Sequence, residues 1–157
     1  MSTLHLLIGI PGCGKSTYAK RLADETHGRI VSSDGIRKEL TGTEEYLHPE
    51  LNTKVFAIFR SRVTEWIKDT DVIADATNIH VKDWRTYIGL CPEGTQHKAY
   101  WFDISPDIAM ARMEGRERKV PREVVERMWD TMVQNRKMLS DFFVESDTVI
   151  IGADEKM

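Results

Sequence analysis

Hydrophobic positions along this chain follow two rhythms. Short, nearly unbroken apolar runs read as strands buried on both faces. Between them, apolar residues recur at spacings of three and four, the period of a helix with one buried stripe. The runs predict strands at Leu4–Ile8, Arg29–Ser32, Asp71–Ala74, Lys98–Asp103 and Thr148–Ile151. A helix is expected over Lys15–Thr26. A shorter one opens at Ser33 and Asp34 and stops near Thr41 and Gly42. Pro49–Asp69 reads as one long helix, with Val55, Ile58, Phe59, Val63, Trp66 and Ile67 on a single face. Asn78 is a candidate cap for a helix running to about Leu90. Ser105, Pro106 and Asp107 make a strong helix start: a cap, a proline at the first position and an acid in the first turn. Pro121 begins another helix, with Val124, Val125, Met128, Trp129 and Met132 on one face.

Five short apolar strands separated by helices predict an α/β fold, a parallel sheet with helices on both faces. The sequence has no internal repeat, low-complexity tract or linker, and its 157 residues suit one domain with a single core.

Composition narrows the function. With 22 basic and 25 acidic residues the formal charge is −3. Proteins that coat nucleic acid are usually basic, so any nucleic-acid contact here is expected to be local, at an end. Cys13 and Cys91 match no metal-binding spacing, which points to a reduced, cytoplasmic protein. The opening MSTLHLLIGI has no basic n-region and reads as a buried strand rather than a signal peptide. No stretch has the length of apolar sequence that spans a membrane.

The candidate chemistry begins at LIGIPGCGKST, where Gly9, Gly14, Lys15 and Ser16 stand at the spacing G-x-x-x-x-G-K-S. The motif lies between a predicted strand and a predicted helix, the context of a phosphate-binding loop. Gly9, Gly12 and Gly14 let the backbone curl so that its N–H groups point inward. Lys15 offers a cation to the β- and γ-phosphates, Ser16 a hydroxyl to Mg²⁺, and the helix N-terminus its partial positive charge. Cys13 has no base beside it and reads as a small loop residue.

Three further patches bear on where the phosphate goes. In VSSDGIRKEL, Asp34 and Arg37 are three apart and share a helix face. Such a pair can take a hydroxyl proton and grip a phosphate; it can equally be a helix cap with an ion pair. In DVIADATN, Asp75 ends an apolar strand expected beside the first, where a carboxylate orients Mg²⁺; alternatively Asp75 and Asn78 only cap the next helix. In ARMEGRERKVPREV, basic residues between a glycine and a proline read as a lid over about residues 112–122, or as a solvated charge run.

In this order, GIPGCGKST, SDGIR, DATN and R-x-x-x-R…VP resemble the 5′-hydroxyl kinase domain of polynucleotide kinases, the phage and bacterial end-healing enzymes. The resemblance covers roughly residues 5 to 135. It implies a P-loop kinase fold, with a five-stranded parallel sheet in the order 2-3-1-4-5 and a helical lid. It implies that Gly12, Cys13, Gly14, Lys15, Ser16 and Thr17 hold the nucleotide, with Arg112 and Arg116 from the lid. Ser16 and Asp75 would serve Mg²⁺ or Mn²⁺. Asp34 matches the general base and Arg37 the contact to the acceptor's 3′-phosphate. Lys15 serves the phosphates, and Arg116 is the lid arginine, with Arg118 as the alternative. The donor would be ATP or another NTP, and the partner a 5′-hydroxyl end of single-stranded DNA or RNA. Ser33 stands where the family often has arginine. The chain has no D-x-D-x-T motif, so 3′-phosphate removal is not expected. Two other functions share these residues: a small-molecule kinase acting on a nucleoside, sugar acid or antibiotic hydroxyl, and a non-catalytic nucleotide-binding module. Tryptophans such as Trp84 and Trp101 could stack on a base; Trp66 and Trp129 read as core, and Trp84, beside Lys82 and Arg85, is the one candidate singled out.

Overall fold

A computed structural model describes residues 1–45, 48–116 and 120–153. Five parallel strands, β1 (Thr3–Ile8), β2 (Arg29–Ser32), β3 (Val72–Asp75), β4 (Gln96–Asp103) and β5 (Thr148–Gly152), form one sheet in the order β2-β3-β1-β4-β5. Leu4 to Ile8 of β1 and all of β3 are buried. Strands buried on both sides need cover on both faces of the sheet, which is why their sequences read as continuous apolar runs.

The connecting helices are α1 (Lys15–Thr26), α2 (Ser33–Thr41), α3 (Asn52–Trp66), α4 (Val81–Leu90), α5 (Pro106–Met113) and α6 (Arg122–Asn135). Aromatic contacts knit them to the sheet and to each other. Tyr18 of α1 meets Tyr100 and Phe102 of β4, both at 5.5 Å between ring centres. Phe59 of α3 meets Tyr87 of α4 at 5.3 Å. Trp84 of α4 packs edge-on against Phe142 and Phe143 near the end of the fold.

The helix starts follow their local chemistry. Ser105 accepts from the Ile108 N–H, with Pro106 at the first position. Ser32 accepts from Gly35, so the cap of α2 is Ser32 itself and Ser33 and Asp34 lie inside the helix. The long helix expected from Pro49 begins instead as a 3₁₀ turn over Pro49–Leu51 and becomes α-helical only at Asn52.

Asn78 does not cap α4. It is buried at φ +49°, and its Nδ2 donates to Leu7 O at 2.8 Å and Ala74 O at 3.3 Å, closing the ends of β1 and β3 together. The cap position belongs to His80, whose side chain makes no capping bond. The stacking role considered for Trp84 is also corrected: it is wholly buried, its Nε1 donating to Asn78 O at 2.7 Å. Trp101 is likewise buried, with the Arg136 guanidinium over its ring at 5.3 Å, and presents no face to a base. Trp66 and Trp129 are partly buried against the core.

Candidate active site

In strand register Ser32 lies opposite Asp75, and Asp75 opposite Leu7. The C-terminal ends of β2, β3 and β1 therefore stand side by side. Ligands of open parallel α/β sheets bind at this edge. The glycine-rich loop leaves β1 here, and Gly9 N donates to Thr77 O at 3.0 Å, which fastens the loop to the turn after β3.

The loop's conformation depends on glycine at two places. Gly12 has φ +83°, and a Cβ there would lie 2.6 Å from Ala109 O and 2.7 Å from Met113 Cγ of α5. Gly14 has φ +98° and caps α1 without a side chain, which leaves the first N–H groups of the helix open to an anion. Lys15 is buried and folded back over the loop, its Nζ donating to Gly9 O and Ile10 O, each at 3.0 Å. Cys13 is turned inward, with Sγ 3.6 Å from Lys15 Nζ. Burial pushes its thiol pKa up in spite of the nearby lysine. That suits a packed loop residue rather than a nucleophile.

Ser16 Oγ donates to Asp75 Oδ2 at 3.0 Å. Burial drives the Asp75 pKa up, opposed by Lys15 and Ser16 and reinforced by Asp34 and Glu44. The carboxylate is thus placed where a cation would relieve its desolvation. Among the described residues no group of three or more His, Cys, Asp or Glu could hold a metal. One hydroxyl and one carboxylate suit Mg²⁺ in particular, because Mg²⁺ retains waters and shares substrate phosphates rather than filling an all-protein cage. On this donor set, Ser16 and Asp75 fit the ion expected from the sequence.

A cleft of about 840 Å³ opens over this edge, within the range of small-molecule sites. It gathers most of the residues expected from the sequence: Gly12, Gly14, Lys15, Ser16, Thr17, Asp34, Arg37, Asp75 and Arg116. Asp34 and Arg37 form an ion pair at 2.7 Å, with Arg37 buried and Asp34 about a quarter exposed. Both alternatives left open for Asp34 are thereby narrowed: it belongs to an ion pair, and that pair faces the cleft. Asp75 likewise caps no helix but faces Ser16.

Two expected nucleotide contacts lie elsewhere. Cys13 is not on the cleft wall. Arg112 borders a smaller recess of about 410 Å³ with Gly12, Gly14, Thr17 and Arg116. Its Nη1 donates to Cys13 O at 2.9 Å and its Nη2 to Ala153 O at 3.4 Å, so it braces the loop from behind. Arg118 and the middle of the expected lid, residues 117–119, lie outside the described residues.

The cleft is also lined by residues that the patterns did not single out: Glu45, Asn52, Phe56 and Arg127. Phe56 stands three residues before Phe59 and seven before Val63, on the apolar stripe of α3, and packs against Phe59 at 5.8 Å between ring centres, so no break in the pattern marks it as a cleft residue. Val124 and Met128, assigned to the buried face of α6, line the cleft, whereas Val125 and Met132 enter the core. The apolar stripe of α6 is therefore divided between core and site.

The comparisons with known proteins agree with this architecture. A chain of the Pnkp1/Rnl/Hen1 RNA repair complex superposes with a TM-score of 0.76 at 23% identity, over 90% of this chain and 47% of that one. The present chain thus spans about half the length of that relative. A gluconokinase from Sinorhizobium meliloti 1021 matches with a TM-score of 0.64 at 17% identity, over 99% of this chain and 84% of that one. A deoxyadenosine kinase from M. mycoides with bound dATP matches at 0.58 and 16% identity, over 99% and 93%. Among the described residues no helix is long and apolar enough to cross a membrane. A family model described as AAA domain matches residues 4–139. The phosphate-binding loop, the strand order and that match over most of the chain lead to one assignment: the chain belongs to the AAA domain family and has a P-loop kinase-like fold.

Proposed function

We propose that this chain transfers the γ-phosphate of ATP, or another NTP, to the 5′-hydroxyl end of DNA or RNA. The observation that carries the proposal is the Asp34–Arg37 pair, which shares one cleft with Lys15, Ser16 and Asp75. An acid beside a buried guanidinium suits an acceptor that offers a hydroxyl and carries a phosphate close to it. Asp34 accepts the hydroxyl proton as the phosphoryl group arrives. Arg37 holds the neighbouring phosphate and, through its 2.7 Å bond, fixes the carboxylate's direction. Lys15 releases its two carbonyl partners to neutralise the donor's phosphates, and Arg116 steadies charge on the transferring group. Ser16 and Asp75 would hold a divalent ion, which would supply charge neutralisation to the donor's phosphates. The apolar lining residues Phe56 of α3 and Val124 and Met128 of α6 offer a flat nucleobase a dry surface.

The second reading is a small-molecule kinase, favoured by fold neighbours described as a gluconokinase and a deoxyadenosine kinase. One assay separates the two. Purified protein with labelled ATP and Mg²⁺ is offered a 5′-hydroxyl oligonucleotide, a nucleoside 3′-monophosphate, deoxyadenosine and gluconate. Label on the oligonucleotide and the 3′-monophosphate is the expected result. Label on deoxyadenosine or gluconate alone would establish the small-molecule reading instead.

A further inference from the structure

The arginines from the end of α5 to α6 do not act as one surface. Arg122 is engaged by Asp107 at 2.8 Å and Glu126 at 3.5 Å. Arg112 is engaged by the carbonyls of Cys13 and Ala153. The Arg116 and Arg127 side chains make no hydrogen bond or ion pair with another described residue; at Arg127 only the carbonyl is used, accepting from Thr131. The two recesses sort these arginines by position. Arg112 borders only the small recess against the phosphate-binding loop, Arg116 borders both, and Arg127 borders only the large cleft that also holds Asp34, Arg37 and Phe56.

Arg127 stands on α6 one turn after Val124 and next to Met128, so it rises beside these apolar lining residues. The buried Arg37, already committed to Asp34, serves a phosphate next to the reacting hydroxyl. The exposed Arg127 guanidinium, on a different helix lining the same cleft, suits a different anion, one farther along the acceptor.

We propose that Arg127 binds a second backbone phosphate of the acceptor, so that the preferred substrate is an oligonucleotide rather than a mononucleotide. This rests on the 5′-hydroxyl kinase reading and extends it to the length of the acceptor. A single-phosphate acceptor brings one anion, which Arg37 takes; a strand brings a second, for which Arg127 is the further cation lining the cleft.

The test is steady-state kinetics of wild type, Arg127→Ala and Arg127→Lys on a 5′-hydroxyl oligonucleotide, on a nucleoside 3′-monophosphate and on ATP, with melting curves to check folding. Arg127→Ala is expected to raise KM for the oligonucleotide about tenfold more than for the 3′-monophosphate, the loss of one charge-assisted phosphate contact. Arg127→Lys recovers part of it, because the ammonium keeps the charge but not the fork. The slope of log KM for the oligonucleotide against log salt falls by about 0.7, the share of one phosphate on a single strand. Equal losses on both acceptors, a raised KM for ATP, or an unchanged oligonucleotide KM would each overturn the assignment. Wild-type protein that labels no oligonucleotide would remove the kinase reading as well. Wild-type protein that labels oligonucleotides while Arg127→Ala does so equally well would remove this inference alone.

Discussion

Asp75 is held in a place that suits function better than stability. Its pKa is raised in the folded protein by burial. A raised carboxylate pKa favours folding at low pH, and that contribution is lost as pH rises through the folded value. At neutral pH the ionised group therefore weakens the ligand-free protein. Asp75→Asn should raise the free protein's Tm, by about 2–4 °C for each kcal/mol regained, while abolishing divalent-dependent transfer. Thermal melts and a transfer assay on the same preparation check both. In the proposed function Asp34 acts on the acceptor rather than the donor. Asp34→Asn should lower kcat by about 10²–10⁴, the usual worth of a general base, and leave ATP affinity unchanged by calorimetry. Near-normal turnover would remove Asp34 from the proton path. At this scale the sequence was most informative where spacing alone carries chemistry, as with Lys15, Ser16 and the Asp34–Arg37 turn. It misleadingly marked Asn78 as a helix cap, whereas its side chain answers carbonyls of two strands. Those partners are set by the sheet and leave no local pattern.

Among the elements, the loop between β1 and α1 and the helix α5 form one unit, because Gly12 admits α5 to van der Waals distance. Gly12→Ala would combine a positive φ with a Cβ 2.6 Å from Ala109 O. The expected cost is about 1–3 kcal/mol, with ATP affinity lost beyond what the fall in stability explains. Denaturant unfolding beside nucleotide titration separates the two effects. Element boundaries were legible wherever a cap residue or an apolar run marked them, as at Ser105 and along β1. They were less so at Pro49, where a 3₁₀ turn has the same composition as a first helical turn. Periodicity also could not divide the stripe of α6. Val124 and Met128 are as apolar as Val125 and Met132, and only the neighbouring elements decide which pair meets the core.

For the molecule as a whole, the sheet's other end carries a buried polar network. His5 Nε2 donates to Asp71 Oδ2 at 2.9 Å, and since that carboxylate can only accept, neutral His5 Nδ1 accepts from the Tyr100 hydroxyl at 2.7 Å. Three strand regions, β1, the entry to β3 and β4, meet there. Burial lowers the His5 pKa below its ordinary 6.5, opposed by Asp71. A lowered histidine pKa means that the unfolded chain binds the proton more readily. Stability is therefore full above about pH 6.5 and declines as pH falls toward the lowered folded value. Urea titrations across that interval should show this slope, and His5→Gln should flatten it; an identical slope in the variant would assign the effect elsewhere, such as His97, also lowered by burial. The alternation of strands and helices implied the parallel sheet, and the family resemblance implied its strand order. Neither implied the His5 network, because its members are 66 and 95 positions apart and each alone looks like an ordinary strand residue.

Arg112 joins positions 13 and 153 through one guanidinium. Anything attached just past β5, such as an affinity tag or a grafted module, therefore shares a fastening with the glycine curl that seats the nucleotide. A spacer placed directly after Gly152 would compete for that fastening, whereas one placed beyond Ala153 would leave it in place.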